Sequence, residues 1–226
     1  MRSVFFILIL SAFTWQTFAV EKPEQMLISY ISHPDAETYK PLIIKTYNDI
    51  GIDVEFINMT SERGLLSVSS GLIDGDLIRV DKSVQEIEGV ILVKPKLTKA
   101  DMYLICAPNV PCDKRVLHTS PDIFASKRTA HLLKSYLPTD FSGQVIEIEH
   151  LALIPELIKR KRGSYGIYYK PSNQLAPEIA LNFQSYLIDQ FNAYHIIGER
   201  HAALLPELEL ALSQNLQRLS DAQSNR

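Results

Sequence analysis

The sequence contains none of the short motifs that announce a common chemistry: no Gly-x-Ser-x-Gly elbow, no His-Glu-x-x-His pair, no Cys-x-x-Cys, no Walker loop and no GxGxxG. A nucleophilic enzyme needs its serine or cysteine held against a base, and nothing here builds that setting locally. The sequence therefore assigns no catalytic residue, no metal ligand and no cofactor. Charge of one sign is also lacking. A net charge of -3 and a pI near 6.1 carry no polybasic excess, which speaks against nucleic acid or an anionic membrane surface as partner. Internal repeats and low-complexity tracts are absent. Cysteine is scarce, at two residues, Cys106 and Cys112.

What is present suits an ordinary globular protein. The 226 residues are 46% hydrophobic and 22% charged, enough for one large or two small α/β domains. Residues 1–19 have the form of a signal peptide: one early cation, Arg2, an apolar run from Val4 to Phe13, and Thr17-Phe18-Ala19 before an expected cleavage at Val20. The apolar run is short for a membrane span. Export to the periplasm follows as the expectation, and there Cys106 and Cys112 either pair across a five-residue loop or stay as free thiols; two thiols alone do not make a metal site.

The most informative stretch runs from Asp53 to Asp81. Val54 to Met59 alternates as a strand does, Thr60 and Ser61 offer caps to a helix that Gly71 stops, and Asp76 to Val80 is a second strand. If both strands are parallel, Thr60 to Arg63 and Arg79 with Asp81 share one edge of a sheet, the edge at which open α/β sheets bind ligands. Upstream, Met26 to Ile31 is an expected strand and Ala36 to Ile50 a helix, so the His33 loop joins the same edge. Downstream, Gly89 to Lys94 and Ala100 to Ala107 read as two extended runs that cross between lobes. The pattern then restarts. Arg115 to His118 is an expected strand, Asp122 to Leu137 a helix capped by Ser120 or Asp122, Val145 to Glu149 a strand, Leu151 to Lys161 a helix, and Ser164 to Tyr169 a strand. Ile179 to Phe183 and Ala193 to Ile197 are further strands, and Glu199 to Leu219 a closing helix with an apolar face ending at Leu219. The run Lys159 to Arg162 reads as cations favoured by the negative end of a helix.

Three segments, SERGLLSVSSGLIDGDLIRV (61–80), VILVKPKLTKADMYLICA (90–107) and AYHIIGERHAALLPELELAL (193–212), resemble bacterial extracellular solute-binding proteins of family 3. That resemblance implies an α/β chain with the two-lobed type 2 periplasmic-binding fold and a hinge crossed by extended segments. Lobe 1 would hold residues 20–107 and 192–226, lobe 2 residues 108–191, with crossings near Lys94 to Thr98 and Asp189 to Ala193. It further implies a monomer that takes a small-molecule ligand into the interlobe cleft and serves an ABC-type importer or a sensor at the inner membrane. This chain departs from the family pattern in three ways: no Thr-x-x-Arg turn follows the third strand, GSYGIYYKPSN (163–173) offers tyrosines where an acid is usual, and the β-hairpin excursion usual after the first strand is missing, His33-Pro34-Asp35 leading almost directly into the helix. These departures speak against an amino-acid ligand and leave open a binding fold that works through protein contacts in the cell envelope.

The candidate ligand residues are Tyr30, His33, Arg63, Arg79, Tyr168 and Tyr169. Arg79, at a strand end, either forks onto a carboxylate or phosphate or pairs with Asp76, Asp81 or Glu62. Glu62 suits the start of a helix; Arg63 gains nothing from that position and is the better ligand candidate. His33, beside Pro34, is either a ligand group or a turn residue. Tyr168 and Tyr169 alternate faces, so one of them points at the cleft while the other packs.

Overall fold

A computed structural model describes residues 22–119, 121–171 and 182–224; the expected signal segment and most of the expected strand at 179–183 lie outside these residues. Alternation sets the first strand, β1 (Gln25–Tyr30), which buries Met26 and Ile28. A three-residue loop leads directly into α1 (Pro34–Glu37) and then α2 (Lys40–Asn48), whose Leu42, Ile43 and Tyr47 face inward. Gly51, at φ +78°, makes the turn that returns the chain to β2 (Asp53–Asn58), parallel to β1. The helix α3 (Ser61–Ser69) carries the chain to β3 (Gly75–Val80), parallel on the other side of β1, and α4 (Asp81–Val84) follows at once.

Beyond α4 lies β4 (Val90–Cys106), a strand of 17 residues. The second set is β5 (Ile123–Ser126), α5 (Lys127–Leu133), β6 (Val145–Ile148), α6 (Leu153–Lys159) and β7 (Tyr165–Pro171). The chain returns through β8 (Gln184–Gly198), 15 residues long, and ends in α7 (Leu205–Ser224). One eight-stranded sheet results, in the order β2-β1-β3-β8-β4-β7-β5-β6. Its two ends are parallel, β2-β1-β3 and β7-β5-β6, and the long antiparallel β4/β8 pair joins them.

Separate cores form on each half. Met26, Ile28, Tyr47, Leu77, Leu97, Leu208 and Leu212 pack together under α2 and α7, whereas Met102, Leu104, Cys106, Ile123, Leu133 and Ile167 form another cluster. The change-over along β4 falls between Leu97 and Met102. There the β4/β8 register shifts: Val93 opposes His195 and Thr98 opposes Ala193, so residues 94–97 bulge against Tyr194 alone. The bulge is pinned from outside, because the Lys94 amide donates to Glu209 of α7 at 2.9 Å. The chain thus has the expected two-lobed α/β architecture with a crossing near 94–98.

Several expected elements differ. The two runs either side of Pro95 are one bulged strand. Asp122 to Leu137 is a strand followed by a shorter helix: all four residues of β5 are buried between β6 and β7, and a fully buried strand has no alternation to distinguish it from a helix. Ser126 provides the cap, accepting from the Thr129 amide, while Asp122 accepts from the Gln144 amide instead. Residues Lys114–His118 form a 3-10 turn capped by Asp113, with Val116 and Leu117 both buried in succession as no half-exposed strand allows. A 3-10 turn, Glu199–Leu204, precedes α7, which restarts where Pro206 fits a helix's first turn; Leu219 is exposed rather than part of the apolar face.

Cys106 and Cys112 are disulfide-bonded, with Cα atoms 5.9 Å apart. The bridge closes a short loop at the outer end of β4. Replacing both by Ala should lower stability by about 2 kcal/mol, the chain-entropy value for a loop this small, and denaturant unfolding of the oxidised and substituted proteins checks it.

The first core also buries a polar pair. The ring of His195 and the phenol of Tyr47 are both 0% exposed, with Oη 2.8 Å from Nε2. The Leu77 carbonyl, 3.4 Å from Nδ1, only accepts, so the neutral ring carries its proton on Nδ1 and Tyr47 donates to Nε2. Burial lowers the imidazole pKa from 6.5 to about 4. The unfolded chain therefore binds the extra proton between these values, so the stability that neutral His195 contributes is complete above pH 6.5 and falls away toward pH 4. The loss is about 3 kcal/mol. A Tyr47→Phe/His195→Leu double variant removes both partners together, so it should unfold near the wild-type urea midpoint at pH 7.5 and lose less stability between pH 6.5 and 4.

Candidate functional site

The carboxyl ends of β1, β2 and β3 face those of β5, β6 and β7 across a cavity of about 130 Å³. Most of its wall is apolar, including Ile31, Met59, Ile78, Leu132 and Leu151. The charged side chains that line it among the described residues are Arg79, Arg128 and Lys170 against one carboxylate, Glu149. Glu149 is exposed at the rim, whereas Arg79 and Lys170 are each only 5% exposed.

Arg79 is tied back into its own half. Its Nη2 donates to Asp76 Oδ2 at 2.5 Å and its Nη1 to Ser61 Oγ at 2.7 Å, while Ser29 Oγ donates to the same Asp76 oxygen at 2.6 Å. Asp76 is 1% exposed. Gly64 of α3 makes room for this cluster: a Cβ there would lie 2.9 Å from Arg79 Nη2, 3.0 Å from Asp76 Oδ2 and 3.0 Å from Ser29 Oγ. Of the two readings of Arg79 open in the sequence, the ion pair with Asp76 is formed. The buried Nε has no hydrogen-bond partner among the described residues. The hydroxyl of Ser61, expected to cap α3, serves Arg79 instead, and Thr60 at the cap position makes no side-chain bond to the helix.

The other predicted residues divide. His33 lines the cavity, is 4% exposed, and lies 5.1 Å, ring to ring, from Tyr168 of β7. Tyr169 lines the cavity, and burial pushes its phenol pKa up; Tyr168 belongs to the core on the other face and touches the site through His33. The expected alternation of the two tyrosines holds. Tyr30 does not line the cavity: it packs edge-on against Phe56, with the Lys40 ammonium 3.3 Å from its ring centroid. Arg63 is exposed on the outer side of α3 and does not join Arg79, because a helix turns successive residues about 100° apart and Ser61 already takes the inward position.

Sequence reasoning missed Arg128, Lys170, Ser126 and Thr129. Arg128 was hidden by the misplaced helix start, which put it mid-helix rather than one turn past a strand end. Lys170 ends an expected strand, the same signal that singled out Arg79. Its Nζ lies 4.4 Å from the Tyr103 ring. Ser126 and Thr129 hydroxyls lie 2.8 Å apart at the start of α5.

Contacts across the cleft close it. Lys127 of α5 pairs with Glu62 of α3 at 2.6 Å, Arg128 Nε donates to the Ser83 carbonyl of α4 at 2.9 Å, and His131 lies 3.6 Å from Glu86. The first and third are exposed pairs of small energetic value.

The buried cluster generates a stability prediction. Arg79→Ala leaves Asp76 without its cation, so it should destabilise the protein by about 3–5 kcal/mol. The double variant Arg79→Ala/Asp76→Ala should recover much of that loss in denaturant unfolding, an outcome that a solvated surface pair would not give.

No protein-family model matches the chain, and no curated protein matches it. Solved structures do. A mutant of ArgBP from T. maritima superposes with a TM-score of 0.71 at 12% identity, covering 89% of this chain and 93% of that one. The GluR0 ligand-binding core in complex with L-glutamate gives 0.70 at 12% identity, over 90% and 97%. The ancestral amino-acid-binding protein AncCDT-1, a precursor of cyclohexadienyl dehydratase, gives 0.66 at 13% identity, over 88% and 95%. At this sequence distance the likeness speaks for fold, and the chain folds as a two-lobed type 2 periplasmic-binding protein, highly diverged in sequence from these structures.

Proposed function

We propose that the protein captures a small polar or anionic molecule between its lobes, as an exported solute-binding protein for an importer or a sensor and not as an enzyme. The observation that carries this reading is the cavity between the halves, whose walls come from both and whose two buried charged lining residues, Arg79 and Lys170, are cations. Cations in an otherwise apolar lining suit a carboxylate or other anion with an apolar body. Arg128, which already crosses the cleft, completes the cationic side. In the same reading lobe 1 runs to about Leu97 and resumes near Asn192, a division that the packing of Met102 to Cys106 in the second core supports. Cleavage before Val20 and residence in the periplasm belong to the same reading.

One observation favours the second reading, a binding fold that works through protein contacts with no small ligand: Arg79 spends its Nη donors within its own half. Native mass spectrometry of protein purified from the cell envelope separates the two. A ligand-bearing species supports capture, and calorimetry with the identified molecule should then show Lys170→Gln and Arg128→Gln each weakening binding about tenfold or more, with Arg63→Gln unchanged. Protein recovered only at its bare mass, and not compacted in scattering by any of a panel of organic anions, sustains the second reading.

A further inference from the structure

The net charge of -3 conceals a segregated basic surface. Cavity-lining residues mark the inner ends of three second-lobe strands: Ala100 on β4, Ser126 on β5 and Lys170 on β7. Their other ends, Cys106, Ile123 and Tyr165, come together in register at the opposite pole, about 20 Å from the cleft along β4. Two loops meet there. The Ala107 amide donates to the Ser164 carbonyl at 2.8 Å, and the disulfide folds residues 107–112 back beside the start of β7, so that Asp113 is near enough to raise the Tyr165 pKa after burial has done so.

The first loop supplies Lys114 and Arg115, and the end of α6 supplies Lys159, Arg160, Lys161 and Arg162, all exposed. Among the described residues, carboxylates at this pole are Asp113, paired with Arg115, Glu156, paired with Lys159, Asp122, which accepts from the Gln144 amide, and Asp140, in the loop that enters β6. These six cations outnumber the four carboxylates on one tip of a chain whose net charge is negative. A helix end attracts cations, yet α6 spans only 7 residues, and Lys114 and Arg115 belong to no end of it. Lys161 also sits at φ +56°, the turn position after a helix where glycine is favoured. The cation is kept at a conformational cost.

We propose that this pole is a docking surface for anionic phospholipid headgroups. Four consecutive cations on a turn splay outward instead of converging, so they cannot chelate one phosphate; they suit a plane carrying many charges. Attraction of this kind needs no pocket, grows by roughly a factor of five per Lys or Arg near the surface, and weakens with salt.

The test is vesicle sedimentation of the intact protein with phosphatidylglycerol/phosphatidylcholine vesicles and with phosphatidylcholine alone. Binding is expected to the anionic vesicles only and to be lost at about 0.5 M salt. The Arg160→Gln/Lys161→Gln/Arg162→Gln variant should bind roughly a hundredfold more weakly. Its thermal unfolding should match the wild type, since these side chains are exposed. No binding to anionic vesicles, or binding that the triple variant retains, overturns the proposal; retention of polyglutamate with no vesicle binding overturns it in favour of an acidic protein partner.

Discussion

Everything in this molecule hangs on one antiparallel pairing, that of β4 with β8. Strand pairing is continuous hydrogen bonding, so two long partnered strands form a stiff connection, and these two run from the first core to the second. The interruption at residues 94–97 is where that stiffness is relieved. Leu97 drops into the first core, Met102 begins the second, and the residues between contact the cleft through Thr98 and Ala100. A straight ladder here would make one rigid sheet. The bulge makes two packed bodies with a shared wall, so the strand ends of each half face the other.

Charge burial is the second constraint. Placing a guanidinium at a sheet edge with little water costs free energy unless each donor finds an acceptor. The first lobe meets that demand internally, with Asp76 behind Arg79, Ser61 beside it, and a glycine at 64 because no larger residue fits over the pair. An arginine held this way is positioned but largely satisfied. In the proposed capture Arg128 and Lys170 of the second lobe supply cations beside that arginine, which keeps its buried Nε–H without a partner among the described residues. The lobes are unequal partners in the proposed capture, with the closing bonds from α5 to α3 and α4 bringing the satisfied wall against the charged one.

The same charge has two arrangements in the second lobe. At the inner ends of its strands Lys170 is buried, opposite the buried Asp101 in the β4/β7 register. At the outer ends, Lys114, Arg115 and the run from Lys159 to Arg162 stand in solvent, a setting with little selectivity but long reach. Neither is visible in a net charge, which sums over the whole chain.

Periodicity and turn chemistry in the sequence determine much of the fold. Met26 and Ile28, Val54 to Met59, the stop at Gly71 and the extended run into Cys106 give a βαβαβ opening and a crossing strand, because burial on one or both faces leaves its pattern in neighbouring residues. The strand-end rule brings His33 and Arg79 to one edge before any coordinates exist, and the resemblance sets Tyr169 in the facing lobe. Beyond that the sequence is silent for physical reasons. The strand β5 is buried on both sides, so its four residues carry no alternation, and the consequent slip of the helix start hid Arg128. A single residue's helical rotation separates Ser61, which meets Arg79, from Arg63, which faces out. Whether Arg79 serves a ligand or Asp76 depends on three elements meeting at Gly64, and the gathering of basic residues from two distant segments at one pole depends on where a disulfide and a strand end fall in space. These are through-space relations between residues far apart in the chain, and only tertiary structure decides them.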